Sequence, residues 1–145
     1  MDTTIAARRL KFHGVLLFLL GLLTGLAIPA LSNPRMGLSA HLEGLLNGIF
    51  LVLLGLIWHE LRLGPRVAGA AYRLVLFAAY VNWTATLLSA AWSTGKLTPI
   101  AAEGRTGAAW QEAIVGAGLV SLTLAIIVGV ALVLFGLRGT APERG

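Results

Sequence analysis

Four apolar stretches of roughly twenty residues run through this chain of 145 residues, and that is the length a helix needs to cross the hydrocarbon core of a bilayer. They cover about residues 12–31, 40–61, 74–92 and 113–137. Backbone groups left unpaired are not tolerated in hydrocarbon, so continuous apolar runs of this length must close their own hydrogen bonds as helices. The predicted fold is an all-α integral membrane protein, a four-helix bundle forming one domain over residues 1–145. Pro29, Asn33 and Pro34 separate the first two spans, and Gly64–Pro65 separates the second from the third. The Gly- and Thr-rich stretch STGKLTPIAAEGRTGAAW (93–110) is expected to be a loop through which no helix runs comfortably.

Composition agrees. Hydrophobic residues make up 57% of the chain and charged ones only 12%, against roughly 25% charged in a soluble domain. The net charge of +5 comes from basic residues scattered among the connections, as in membrane proteins, and gives no nucleic-acid footprint. There is no cysteine, which excludes disulfides, thiolate metal sites and a cysteine nucleophile. ARRLKFHG leads into an apolar run too long for a signal peptide and without a small-residue cleavage site, so no cleavable leader is expected.

Charge also predicts direction. Arg8, Arg9, Lys11, Arg62, Arg66, Arg138 and Arg144 fall on one side of the four spans, with Arg73 near them. Arg35, Lys96 and Arg105 fall on the other. By the positive-inside rule both termini of this multi-pass protein are expected in the cytoplasm. Trp58, Trp92 and Trp110 stand at span ends, where interfacial anchoring is expected. Gly21 with Gly25, Gly44 with Gly48, and the series Ala117, Ser121, Ala125, Gly129 have the spacing of close helix packing.

Polar residues at membrane depth are expensive and therefore informative. The fourth span has only Ser121 and Thr123, and the first has His13 and Thr24. The second carries His41, Glu43 and Asn47 at its outer end, with His59 and Glu60 at its inner end. The third holds Tyr80, Asn82, Trp83, Thr84, Thr86 and Ser89. Counting about 1.5 Å per residue puts Asn47 and Asn82 at similar depth on antiparallel neighbours, so a polar cluster in the outer half is expected. Simpler roles are also open: Ser39 as a helix cap, Glu43 in a first turn favouring the helix dipole, and the two asparagines hydrogen-bonding each other.

His41 is the residue that most invites a functional reading. An imidazole in a bundle carries protons or ligates a metal or heme. His59 lies about 27 Å along the same helix and His13 belongs to the other side. No cluster for a non-heme metal and no histidine pair for an electron-transfer heme is therefore evident. A single axial histidine with an open position opposite remains, suited to ligand binding or Lewis-acid chemistry.

At these residues a family resemblance enters. RRLKFHGVLLFLLGLLTGL and NPRMGLSAHLEGLLNGIFLVLLGLIW resemble the hydroxylaminobenzene mutases, small bacterial membrane enzymes of nitroarene degradation. The resemblance covers all four spans and is strongest over residues 8–60. It implies isomerisation of an N-aryl hydroxylamine to a 2-aminophenol. More distantly the chain is similar to styrene oxide isomerase, a trimer with ferric heme b between subunits acting as a Lewis acid. The shared elements are His13–Gly14, His41, Asn47–Gly48 and Asn82. The resemblance implies His41 as axial heme ligand and Asn47 as a substrate contact. Asn82 or Tyr80 is expected to help orient the ring and nitrogen, and Glu43 is the candidate acid, with His41, should no heme be bound. The chain departs after Asn82, where Thr86 stands in place of that relative's tyrosine.

Both reactions break a bond to oxygen heterolytically and leave a cation stabilised by an aromatic ring. An electrophile must take charge from the oxygen, and water must be kept from the cation. His41 and Asn47 lie about 120° apart around a helix, so one small pocket is served most simply if they come from different subunits. An oligomer with the cofactor between protomers is expected, a trimer by analogy. The rival readings are an epoxide isomerase, a non-catalytic heme and quinone subunit, and a small multidrug exporter. The last is disfavoured because the first span has no acidic residue.

Overall fold

The computed structural model describes residues 2–138. It consists of α1 (Thr3–Ala27), α2 (Pro34–Ile57), α3 (Pro65–Trp92), a single turn α4 (Pro99–Ala102) and α5 (Ala109–Leu137), with 3-10 turns at Ile28–Ala30 and Trp58–Glu60. No strand occurs among the described residues. α1, α2, α3 and α5 are all long and apolar enough to cross a membrane, as expected. Arg144, used above in the charge comparison, lies outside the described residues.

The helix limits differ from those read from hydropathy, for a physical reason. Apolarity marks the part in hydrocarbon, whereas a helix continues until a cap or a proline stops it. α1 therefore starts at Thr3, with Asp2 accepting a hydrogen bond from Thr4 N at 2.8 Å, and takes Arg8, Arg9 and Lys11 into the helix. α2 starts at Pro34, where the fixed φ of proline suits the first helical position. Asn33 is its cap, accepting from Met36 N at 3.1 Å. Ser39, expected to cap this helix, instead donates to Arg35 O one turn back. α3 likewise starts at Pro65 rather than near residue 74.

The 93–108 connection is mostly irregular, as expected, but contains the turn α4. Glu112, in the first turn of α5, holds it in place by accepting from Gly95 N, Lys96 N and Gly107 N at 2.9, 3.1 and 3.0 Å.

Lipid supplies no hydrophobic force between helices, so close approach decides the packing. α1 and α2 meet most extensively, with glycine against glycine. A Cβ on Gly44 would stand 2.5 Å from Gly21 Cα, and one on Gly14 would stand 2.6 Å from Gly48 O. The stripe on α1 is thus Gly14 and Gly21, two turns apart, while Gly25 makes room for the His41 ring. α5 docks chiefly on α3. Its packed face runs through Val115, Leu122, Ala125, Gly129 and Val133; Ala117, expected in that face, is exposed.

Leu10, Leu17, Leu51, Val75 and Trp58 form the main core toward the end of the bundle where α1 begins. Trp58 is 2% exposed and packs edge-on against Tyr72, so it is a core residue and not the anchor expected. Trp92 and Trp110 do sit together at the opposite end, ring to ring at 5.1 Å.

Candidate active site

The residues most costly to place in lipid lie on α2, about two to four turns from its start. At about 100° per residue, Glu43 and Asn47 stand about 40° apart on one flank. His41 stands about 160° from Glu43, on the other flank. Gly44, which faces α1, falls between them. Glu43 is the tenth residue of α2 and so lies well past the first turn, which removes the helix-dipole role considered above.

Glu43 is instead the hub of a polar cluster. Its Oε2 accepts from Asn47 Nδ2 at 3.0 Å and from Asn82 Nδ2 of α3 at 2.6 Å. Asn47 Nδ2 also donates to the Glu43 carbonyl at 2.8 Å. The two asparagines, expected at one depth, are thus brought together through the carboxylate and not by bonding each other. A charged side chain at mid-membrane costs roughly 2.5–3.5 kcal/mol on insertion scales. Two amide donors offset part of that cost.

The amide orientations follow from chemistry. An ionised carboxylate only accepts, so each asparagine must turn its NH₂ toward it and its carbonyl oxygen away. Glu43 Oε1, Asn47 Oδ1 and Asn82 Oδ1 make no hydrogen bond among the described residues, and none of them is sealed inside the chain. Glu43, Asn47 and Asn82 are all half-buried. The cluster offers three acceptor oxygens at the flank of the bundle.

On the opposite flank, His41 Nδ1 lies 2.8 Å from Gly21 O. A carbonyl can only accept, so Nδ1 carries the proton, and in the neutral ring Nε2 keeps its lone pair. A backbone acceptor on one ring nitrogen and a free lone pair on the other is the arrangement of a metal-ligating histidine. Among the described residues no group of three or more His, Cys, Asp or Glu side chains could hold a metal ion. A porphyrin brings its own four nitrogens and needs only an axial ligand. The free Nε2 of His41 fits that requirement.

Tyr80 is placed elsewhere. Two residues before Asn82 is about 200° around α3, and its hydroxyl meets His13 Nδ1 of α1 at 3.0 Å, ring edge to ring face. Nearby, Trp83 Nε1 donates to Thr24 Oγ1 at 3.1 Å, a link between α3 and α1 that sequence reasoning missed. Thr86 donates to Asn82 O at 2.7 Å, so its hydroxyl is spent on its own helix. An open cleft of about 250 Å³ lies between α3 and α5 beside Tyr80, Thr84, Ile114 and Gly118.

The profile of the styrene oxide isomerase family matches residues 6–138. The chain is 52% identical to hydroxylaminobenzene mutase HabB of Ectopseudomonas oleovorans, over 95% of this chain and 84% of that protein. It is 40% identical to hydroxylaminobenzene mutase HabA of the same organism, over 86% of this chain and 93% of that protein. No solved structure matches it. Fold and relatives together define a small four-helix membrane isomerase. The chain belongs to the hydroxylaminobenzene mutases, within the styrene oxide isomerase family.

Proposed function

We propose that this enzyme converts hydroxylaminobenzene to 2-aminophenol by intramolecular hydroxyl transfer. The proposal includes a homo-oligomer, a trimer by analogy, with ferric heme b held on His41 between subunits. The two relatives carry the name of that activity. The observation that carries the reading is the placement of His41 and of Glu43, Asn47 and Asn82 on opposite flanks of α2. A carboxylate left half-buried deep within a membrane-length helix needs a cover. A second copy presenting its own His41 flank supplies one and completes the site.

When bound, ferric heme supplies a Lewis acid able to draw electron density from the departing oxygen. The chain does the rest. Asn47 Oδ1 and Asn82 Oδ1 accept the N–H of the substrate and orient its ring. Apolar walls keep water from the cation, so that the hydroxyl oxygen, and not solvent, bonds the ortho carbon. Seven basic residues on the side of both termini support a cytoplasmic location for these in the bacterial inner membrane.

The family name favours one rival, an epoxide isomerase of the styrene oxide type. Turnover of hydroxylaminobenzene and of styrene oxide on one detergent-purified preparation separates the two. An absorption spectrum beside that of His41→Ala tests the cofactor. A Soret band lost in the variant is expected; a colourless, active wild type overturns the heme.

A further inference from the structure

We infer that Glu43 is the general base that carries a proton from the ortho ring carbon to nitrogen. This rests on the hydroxyl-transfer reading above and follows from its proton balance. The N–O bond breaks with its electron pair on oxygen, and that pair then forms the bond to the ortho carbon. The carbon now holds both hydroxyl and hydrogen, and the nitrogen is an imine. Aromaticity returns only when the C–H bond breaks, its pair entering the ring and its proton leaving. Nitrogen gains one proton to become the amine. No oxidant or reductant is needed, since one proton moves from carbon to nitrogen. An epoxide that opens with hydride migration moves hydrogen together with its electron pair and needs no such base. Hydroxyl transfer to an aromatic carbon therefore asks for a group that the epoxide reaction does not.

Glu43 meets the requirement by position. Among the described acidic residues, Asp2 caps α1, Glu60 ends a 3-10 turn in the open, Glu103 lies in a loop, and Glu112 is engaged by three backbone N–H groups. Glu43 alone stands deep within a span. The histidines stand elsewhere: His41 is on the opposite flank of α2, with its Nε2 reserved for the cofactor in the reading above, and His13 is on α1 beside Tyr80.

Its geometry suits a base. Two amides from two helices hold Oε2 at 3.0 and 2.6 Å, which anchors that oxygen and leaves Oε1 without a partner among the described residues. The same two amides turn their carbonyl oxygens away from the carboxylate, ready to accept from a substrate N–H. A substrate nitrogen held on those oxygens stands on the same flank of the bundle as Glu43, and the ortho carbon is two bonds from that nitrogen. Positioned general bases contribute about 10²–10⁴-fold in rate.

The test uses full-length enzyme in detergent and hydroxylaminobenzene with or without deuterium at both ortho positions. Wild-type conversion to 2-aminophenol comes first. If wild type leaves hydroxylaminobenzene unchanged, the functional reading fails and this inference falls with it. With wild type active, Glu43→Gln keeps an acceptor for both asparagines but loses the base. The expected result is a fall in kcat of about 10²–10⁴-fold, a small change in KM, and a primary deuterium isotope effect larger than in wild type, because proton removal has become limiting. Glu43→Ala with added formate is expected to regain part of the lost rate. Wild-type rate in Glu43→Gln overturns the inference. A slowed Glu43→Gln with no rise in the isotope effect, or no rescue by formate in a Glu43→Ala protein that elutes like wild type, overturns it as well.

Discussion

Asn82 Nδ2 stands 2.6 Å from Glu43 Oε2, joining α3 to α2 through a carboxylate deep within a membrane-length helix. The contact is charge-assisted, the stronger class of hydrogen bond. Removing one partner leaves the other in a poor medium without its match. Asn82→Leu is expected to lower stability by about 1–3 kcal/mol, measured as loss of helicity on heating in detergent. The double variant Glu43→Leu/Asn82→Leu should lose clearly less than the sum of the two single changes, because no carboxylate then remains to be satisfied. Additive losses would show that the two residues do not interact.

The α1–α2 seam depends on absent side chains. Gly44→Ala would push a methyl group to 2.5 Å from Gly21 Cα, a backbone atom that cannot step aside. A loss of about 1–3 kcal/mol is expected, as for overpacking generally. Gly69, in α3, has open space where a Cβ would stand, with no atom within 4 Å. Gly69→Ala should stabilise by up to about 1 kcal/mol through helix propensity alone. Equal effects at the two sites would contradict the packing described.

How much of this was legible beforehand can be traced residue by residue. The four spans were, because lipid leaves hydropathy as the dominant signal. The helix starts were not, since prolines 34 and 65 set them outside the apolar runs. That error moved Glu43 into a first turn and hid its role as hub. The shared depth of Asn47 and Asn82 was recoverable by counting residues, but the bond of each to Glu43 required the crossing of α2 and α3. The Nδ1 partner of His41, Gly21 O, depends on the register of α1 against α2, which glycine spacing alone did not specify.

On the loop at the far end, Glu103 pairs with Arg35 at 2.9 Å and Arg105 at 3.0 Å. Hydrogen bonds from Arg35, then Arg105, hold its carboxyl below the usual carboxylate range. A folded-state value below the unfolded one gives stability that is present above the unfolded pKa of about 4.3 and lost as pH falls through the folded value. Glu103→Gln should therefore lower thermal stability slightly at pH 7 and match wild type at strongly acid pH. The difference should shrink in high salt, since the pairs are exposed. A constant difference across pH would contradict the ion-pair account.

In the proposed assembly, a complete site takes His41 from one copy and the Glu43–Asn47–Asn82 cluster from its neighbour. Subunit mixing separates this arrangement from a site built within one chain. His41→Ala and Asn47→Ala are each expected to be inactive alone toward hydroxylaminobenzene. Co-expressed in equal amounts in a closed ring, about a quarter of the interfaces pair an intact His41 with an intact Asn47, and activity should return to about that fraction. Co-expressed variants that assemble together and remain inactive would contradict the shared site and place both residues in a site within one subunit.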